Sequence, residues 1–234
     1  IGYTANNLLP ARAGEFVRAH AIGRMESVSR AAAFATIVVE RVFDGLSILV
    51  ILVCILPGLK IPAQDWLVAA SWLSLLLYLA AIVFILFFNF KKRLALKLVS
   101  FLPARILKGI ESLADGFKII ENAGHLAVIA VYSFVIWGMT AVALWLAALA
   151  FGCQLAYLSA LFILVLMALA VILPSAPGFI GTLDAAMVYG LMLFGVPRET
   201  ALTMTVFYHG LSLLAIIIPG FYYLWKYKLS LTEL

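Results

Sequence analysis

Three stretches without a single charged side chain, Leu67 to Phe90, Leu126 to Leu183 and Thr200 to Trp225, decide what this chain can fold into. A bilayer-spanning helix needs roughly 20 mostly apolar residues. Each stretch is long enough to cross, and the second can cross twice. At 66% hydrophobic and 12% charged, the chain is far from a soluble domain, which is about half apolar and about a quarter charged. No water-soluble fold covers that much apolar surface.

The formal charge of +5 would suggest a nucleic-acid partner in a soluble protein. Here the cations sit at the ends of apolar runs, where they act as topology signals, and no nucleic-acid site is read. Cys54 and Cys153 each lie alone in apolar surroundings, with neither metal nor redox spacing, and are expected to be buried small hydrophobes. The chain opens at Ile1 without an initiator Met or a signal-peptide pattern, so it is expected to be a fragment lacking upstream membrane segments.

Residues 1 to 30 are punctuated by Asn6, Asn7, Pro10 and Gly14 and run into Arg12, Arg18, Arg24 and Arg30. A first span is expected over 31–56. It carries Glu40, Arg41 and Asp44, where charges are costly, and stops at Pro57-Gly58. A second, over 66–90, stops at Lys91, Lys92 and Arg93. Residues 94–122 alternate apolar and charged positions and suit an amphipathic helix at the interface or a plain connector. Further spans are expected over 126–151 and 200–225, the last ending at Lys226 and Lys228. Between them, the apolar runs on either side of Pro174-Ser175-Ala176-Pro177-Gly178 form either two short spans or a re-entrant hairpin. The basic segments and the C-terminus are expected on the cytoplasmic side of the inner membrane.

An internal repeat is visible at nearly one offset. Leu9-Pro10-Ala11-Arg12-Ala13-Gly14 matches Leu173-Pro174-Ser175-Ala176-Pro177-Gly178, and Phe43-Asp44-Gly45-Leu46-Ser47 resembles Tyr208-His209-Gly210-Leu211-Ser212. The positive-inside argument sends the Gly45 helix outward and the Gly210 helix inward, so the repeat-like units, about 1–56 and 155–225, would be inverted. Inverted repeats with broken helices mark many transporters. Pro and Gly free backbone groups that hydrocarbon cannot satisfy, so the breaks at Pro10, Gly14, Pro174, Pro177, Gly178 and Gly181 would line a polar cavity. Ordinary Pro kinks between packed helices are the alternative. Helix N-termini after Gly14 and Gly178 suit an anion such as a lipid phosphate.

At these motifs the sequence resembles the membrane domain of the lysylphosphatidylglycerol synthase/flippase family. The matching stretches are Asn7-Leu8-Leu9-Pro10-Ala11-Arg12-Ala13-Gly14-Glu15 followed by Arg18, then Glu40-Arg41-Val42-Phe43-Asp44, and Pro174-Ser175-Ala176-Pro177-Gly178-Phe179-Ile180-Gly181. The resemblance covers nearly the whole chain in order. It implies a polytopic protein that moves a lipid between leaflets, with a phospholipid, glycolipid, polyprenyl or hopanoid-type cargo that the fold does not specify. Two departures stand out: Asp184 where relatives commonly carry Glu, and His209 where an Arg is usual. These residues do not include the aminoacyl-transferase domain of bifunctional members, so lipid synthesis is not expected of them.

The polar residues within the apolar runs are the candidate lipid-headgroup ligands. Glu40, Arg41 and Asp44 share one helix face, and either Arg41 draws a lipid phosphate while Glu40 or Asp44 holds it in place or meets an amine-bearing headgroup, or Arg41 and Asp44 pair and neutralise each other between helices. Arg12, Glu15 and Arg18 follow the first break at helical spacing, as a cavity mouth or as topology charges. Asp184, one turn beyond Gly178, completes the site or starts a helix. His209 is a proton-coupling group or a packing and hydrogen-bonding residue. Tyr222, Tyr223, Trp225 and Tyr227 read as an interface belt.

The sequence therefore predicts an all-α, polytopic transmembrane helical bundle forming a single domain over 1–234, with inverted repeats and two Pro/Gly-broken segments. The expected function is flippase-like lipid translocation, without cofactor, metal or catalytic residues, in which a polar groove shelters the headgroup. The alternatives are a membrane-embedded headgroup transferase, or an assembly partner that recruits an envelope-lipid biosynthetic enzyme through Lys91, Lys92 and Arg93. Membrane lipids are the expected partners, with a homo-oligomer left open.

Overall fold

The computed structural model describes residues 2–8, 14–59, 65–90, 103–171 and 175–226. Pro10, Arg12, Lys91, Lys92, Arg93, Pro174, Tyr227 and Lys228 lie outside these residues. The described residues are mostly helical and contain no strand: α1 (Gly2–Leu8), α2 (Gly14–Met25), α3 (Arg30–Ile55), α4 (Asp65–Phe90), α5 (Ala104–Gly116), α6 (Ala123–Ala150), α7 (Tyr157–Ala170), α8 (Thr182–Leu193) and α9 (Arg198–Lys226).

The long helices coincide with the expected spans. α3 and α4 have 26 residues each, α6 has 28 and α9 has 29. At about 1.5 Å per residue all exceed the roughly 30 Å hydrocarbon core. α7 and α8, with 14 and 12 residues, reach only about 21 and 18 Å. Apolar side chains such as Trp72, Leu76, Val83, Val131 and Met139 stand exposed along α4 and α6, and Cys54, expected to be buried, is likewise exposed on α3, while Cys153 is half-buried. Such contiguous apolar surface is untenable in water and ordinary against lipid.

Contacts gather the chain into two compact units, which cut across the repeat-like units of the sequence. One comprises 15–47 and 64–133, the other 1–14, 48–63 and 134–234.

In the first unit, Ser29 caps α3 by accepting the Ala32 N–H at 3.1 Å. Its core is Ala35, Val39, Val42, Ile85 and Phe117. Phe117, which follows α5, is buried here, so the apolar side of the amphipathic segment is in part covered by α3 and α4. Its polar side stays in water: Asp115 bonds Lys118 at 3.0 Å and holds that exposed ammonium above the usual lysine range. Close approach depends on glycine at two places. A methyl group on Gly116 would overlap the Ala32 carbonyl, and one on Gly45 would overlap the Tyr78 ring.

In the second unit, α7 and α8 form an antiparallel hairpin. Phe162 meets Phe194 edge to face at 5.9 Å, and Gly190 lets α8 approach Ile163 and Leu166. The shared core includes Ile163, Met167, Met187, Leu191, Ala201 and Met204, so α9 packs on the same hairpin. Helix α1 docks against α9 and against the turn Pro177–Phe179.

α1 meets α9 beside Pro219. A proline inside a helix removes an N–H and strains the preceding turn of carbonyls, which hydrocarbon leaves unsatisfied. The buried Thr4 hydroxyl donates to the Ile216 carbonyl at 3.1 Å, and Gly220 leaves room for that side chain. Thr4→Val keeps the shape and removes the donor. It is expected to cost about 1 kcal/mol, within the range of hydrogen bonds in membranes, read as a lower thermal midpoint in detergent. An unchanged midpoint would show that α1 is held by packing alone.

Candidate functional site

Each unit holds one polar constellation within otherwise apolar helices. In the first, α2 supplies Glu15 and Arg18 and α3 supplies Glu40, Arg41 and Asp44. Arg18 grips Glu40 with both prongs, Nη1 to Oε1 at 2.9 Å and Nη2 to Oε2 at 2.7 Å. Arg41 Nη2 lies 2.5 Å from Glu40 Oε1 and 3.0 Å from Asp44 Oδ2, and its Nε is 4.0 Å from Glu15. Ser133 on α6 donates to Asp44 Oδ1 at 2.8 Å.

The spacing of α3 explains the cluster. Arg41 and Asp44 stand one turn apart on one face, and burial of Val39 and Val42 on the other side turns the charges toward α2. A bidentate guanidinium–carboxylate pair is the strongest of protein hydrogen-bonded contacts, and in low dielectric an unpaired charge is very costly. The network therefore pairs its own members, with one carboxylate in excess, while remaining open at one point. Arg41 is the most exposed of the five side chains, at 38%, against 17% for Asp44. A lipid phosphate would reach Arg41 by competing with Glu40 and Asp44, and an amine would be met by those carboxylates.

The second constellation is built on the break between α7 and α8. Gly178 and Gly181 take φ of 70° and 93°, values that glycine adopts without strain. The Asp184 carboxylate reaches back from the first turn of α8 to accept the Gly181 N–H at 2.9 Å. Its other oxygen lies 2.6 Å from Nδ1 of His209 on α9. The second ring nitrogen, Nε2, lies 2.9 Å from the Gly178 carbonyl. Asp184 is thus both a helix-start residue and a partner of His209.

Of the candidate residues, the structure brings together Glu15, Arg18, Glu40, Arg41 and Asp44 in one cluster and Pro177, Gly178, Gly181, Asp184 and His209 in another. Gly14 belongs with α1, whose Asn6 and Gly2 backbone atoms occupy the space a methyl group would need. Sequence reasoning missed Thr4, Ser133 and Thr205. Thr205 alone carried a signal, a hydroxyl in an apolar helix one turn from a polar residue, whereas Thr4 and Ser133 find partners 212 and 89 residues away that spacing does not reveal. Thr205 stands one turn before His209, is buried, and has a hydroxyl without a hydrogen bond among the described residues. No group of three or more metal-ligating side chains occurs among the described residues.

The family model for the lysylphosphatidylglycerol synthase TM region matches residues 1–220. The chain belongs to this family. It is an integral membrane protein, and its relatives include two UPF0104 membrane proteins of Methanothermobacter thermautotrophicus. They are 26% and 24% identical, over 84% and 88% of this chain and 63% and 67% of their own lengths. A UPF0104 membrane protein of Methanocaldococcus jannaschii is 25% identical over 88% of this chain and 66% of its own length. The chain thus spans a little under two thirds of the first of these relatives. No solved structure matches it.

Proposed function

We propose that this member of the family translocates a lipid between leaflets, with the headgroup held at the Glu15–Arg18–Glu40–Arg41–Asp44 network and the acyl or polyprenyl chains left in the bilayer. The observation that carries the reading is the placement of five exchangeable charges on α2 and α3 in an integral membrane protein. Intramembrane ionisable residues that pair with one another yet stay partly accessible mark substrate pathways. A zwitterionic or aminoacylated headgroup offers both a phosphate for Arg41 and an amine for the carboxylates.

The inverted-repeat reading rests on the two sequence matches, in which Gly14 aligns with Gly178 and Asp44 with His209. At 14 and 12 residues, α7 and α8 fall short of the hydrocarbon core, which favours a re-entrant hairpin over two short spans. An inner-membrane location with a cytoplasmic C-terminus belongs to the same proposal.

The test is leaflet transfer of fluorescent anionic, aminoacylated and polyprenyl lipids in liposomes containing the full-length protein, alongside an Arg41→Ala/Asp44→Ala variant. Cargo-selective transfer that falls at least tenfold in the variant, about 1.4 kcal/mol of lost stabilisation, is the expected result. Transfer of no lipid by folded protein, or equal transfer by the variant, would overturn the reading.

A further inference from the structure

His209 has an acceptor at each end of its ring. The Gly178 carbonyl can only accept, so Nε2 must carry a hydrogen. With that hydrogen placed, a neutral ring would turn the bare lone pair of Nδ1 toward the Asp184 carboxylate at 2.6 Å, a repulsive contact. The geometry is satisfied only when one further proton lies between Nδ1 and Oδ1, as imidazolium with carboxylate or as neutral imidazole with carboxylic acid. Both forms leave the pair uncharged.

The surroundings make that proton consequential. Among the described residues of this unit, the charged side chains other than this pair are Arg198, Glu199 and Lys226, at the ends of α9. The elements packed about the break, α1, α7 and α8, contribute only tyrosines as further ionisable groups: Tyr3, Tyr157 and Tyr189. Tyr208 precedes His209 on α9. Among the described residues of this unit, the cations Arg198 and Lys226 stand at the two ends of α9, away from His209 in its middle.

From this arrangement we propose that Asp184 and His209 form a proton-operated latch on the Pro/Gly break. With the proton bound, His209 ties α9 to the Gly178 carbonyl while Asp184 ties it to the Gly181 N–H, and the break is closed. When the proton leaves to water past Asp184, whose side chain is 29% exposed, the pair goes from neutral to a single negative charge. Nδ1 and the carboxylate then repel, and both ties to the break loosen. This latch is a property of the hairpin unit and does not depend on the lipid reading.

The experiment uses full-length protein in liposomes, with Cys54 and Cys153 replaced by alanine and Ala176→Cys introduced at the exposed edge of the break. Labelling by a membrane-impermeant maleimide is followed as pH is raised, and the intrinsic pH response of the thiol is taken from the same cysteine in an Asp184→Asn/His209→Gln background. That variant keeps hydrogen-bonding groups and has no proton to lose. Labelling of the intact pair is expected to rise above this reference, approaching tenfold per pH unit, the limit for one linked proton. Selective 15N-histidine spectra, with His209 assigned by difference against His209→Gln, are expected to show both ring nitrogens hydrogen-bonded on the closed side of that rise. Labelling that follows the reference throughout, or a His209 ring with one bare nitrogen where the break is closed, would overturn the latch. Lost lipid transfer with the latch intact would count against the flippase reading alone.

Discussion

Replacing Glu40 by leucine is expected to destabilise the protein by about 2 kcal/mol, and replacing Arg18 and Glu40 together by leucine is expected to cost less than the single change. Glu40 is the hub of the α2–α3 network, taking both prongs of Arg18 and one of Arg41. Its loss leaves a guanidinium without its forked partner. Breaking a fully buried pair costs about 3–5 kcal/mol, whereas removing both members of such a pair is often neutral. The side chains here are 30% and 28% exposed, and screening reduces the penalty toward the lower value. Arg41 retains Asp44 at 3.0 Å in either variant, so the double change leaves no new orphan. Thermal midpoints of the two variants in one detergent decide the matter. A double variant less stable than the single one would show that the fork itself, beyond charge compensation, holds α2 on α3.

Much of this was legible in sequence because lipid imposes simple rules. Four long apolar stretches became α3, α4, α6 and α9 within a few residues of their expected limits, since hydrocarbon leaves a backbone little choice but helix. The side-by-side placement of Glu40, Arg41 and Asp44 followed from helical spacing, and costly charges in a span had to find partners. Which partners they found was less accessible. The Glu15–Arg41 approach and the Ser133–Asp44 bond depend on how α2 and α6 pack, and periodicity carries no information about neighbours between helices.

The same limit explains His209. The sequence left it between proton coupling and packing, because the distinction rests on two distances, to Asp184 and to the Gly178 carbonyl, that no spacing rule fixes. The docking of α1 was invisible for a related reason. Seven residues with two asparagines look like a loop until Thr4 is seen to reach the Ile216 carbonyl beside Pro219.

Glycines of similar sequence context carry different burdens, and this yields the second large effect. Gly181→Ala is expected to destabilise the protein by about 1–3 kcal/mol, the cost of forcing a side chain into a sparsely populated backbone region. Gly210→Ala is expected to be neutral or to stabilise by up to about 1 kcal/mol. A methyl group at either position meets no atom within 4 Å, so steric overlap is removed from the comparison. What differs is the backbone: Gly181 has φ 93° and ψ −58°, while Gly210 lies inside α9. Strain at Gly181 also moves the N–H that anchors Asp184, so the variant is expected to loosen the His209 contact as well as lower the thermal midpoint. Equal midpoints for the two variants would mean that the break tolerates an ordinary residue. Its glycines would then serve close approach of a ligand or of α1 rather than the backbone conformation itself.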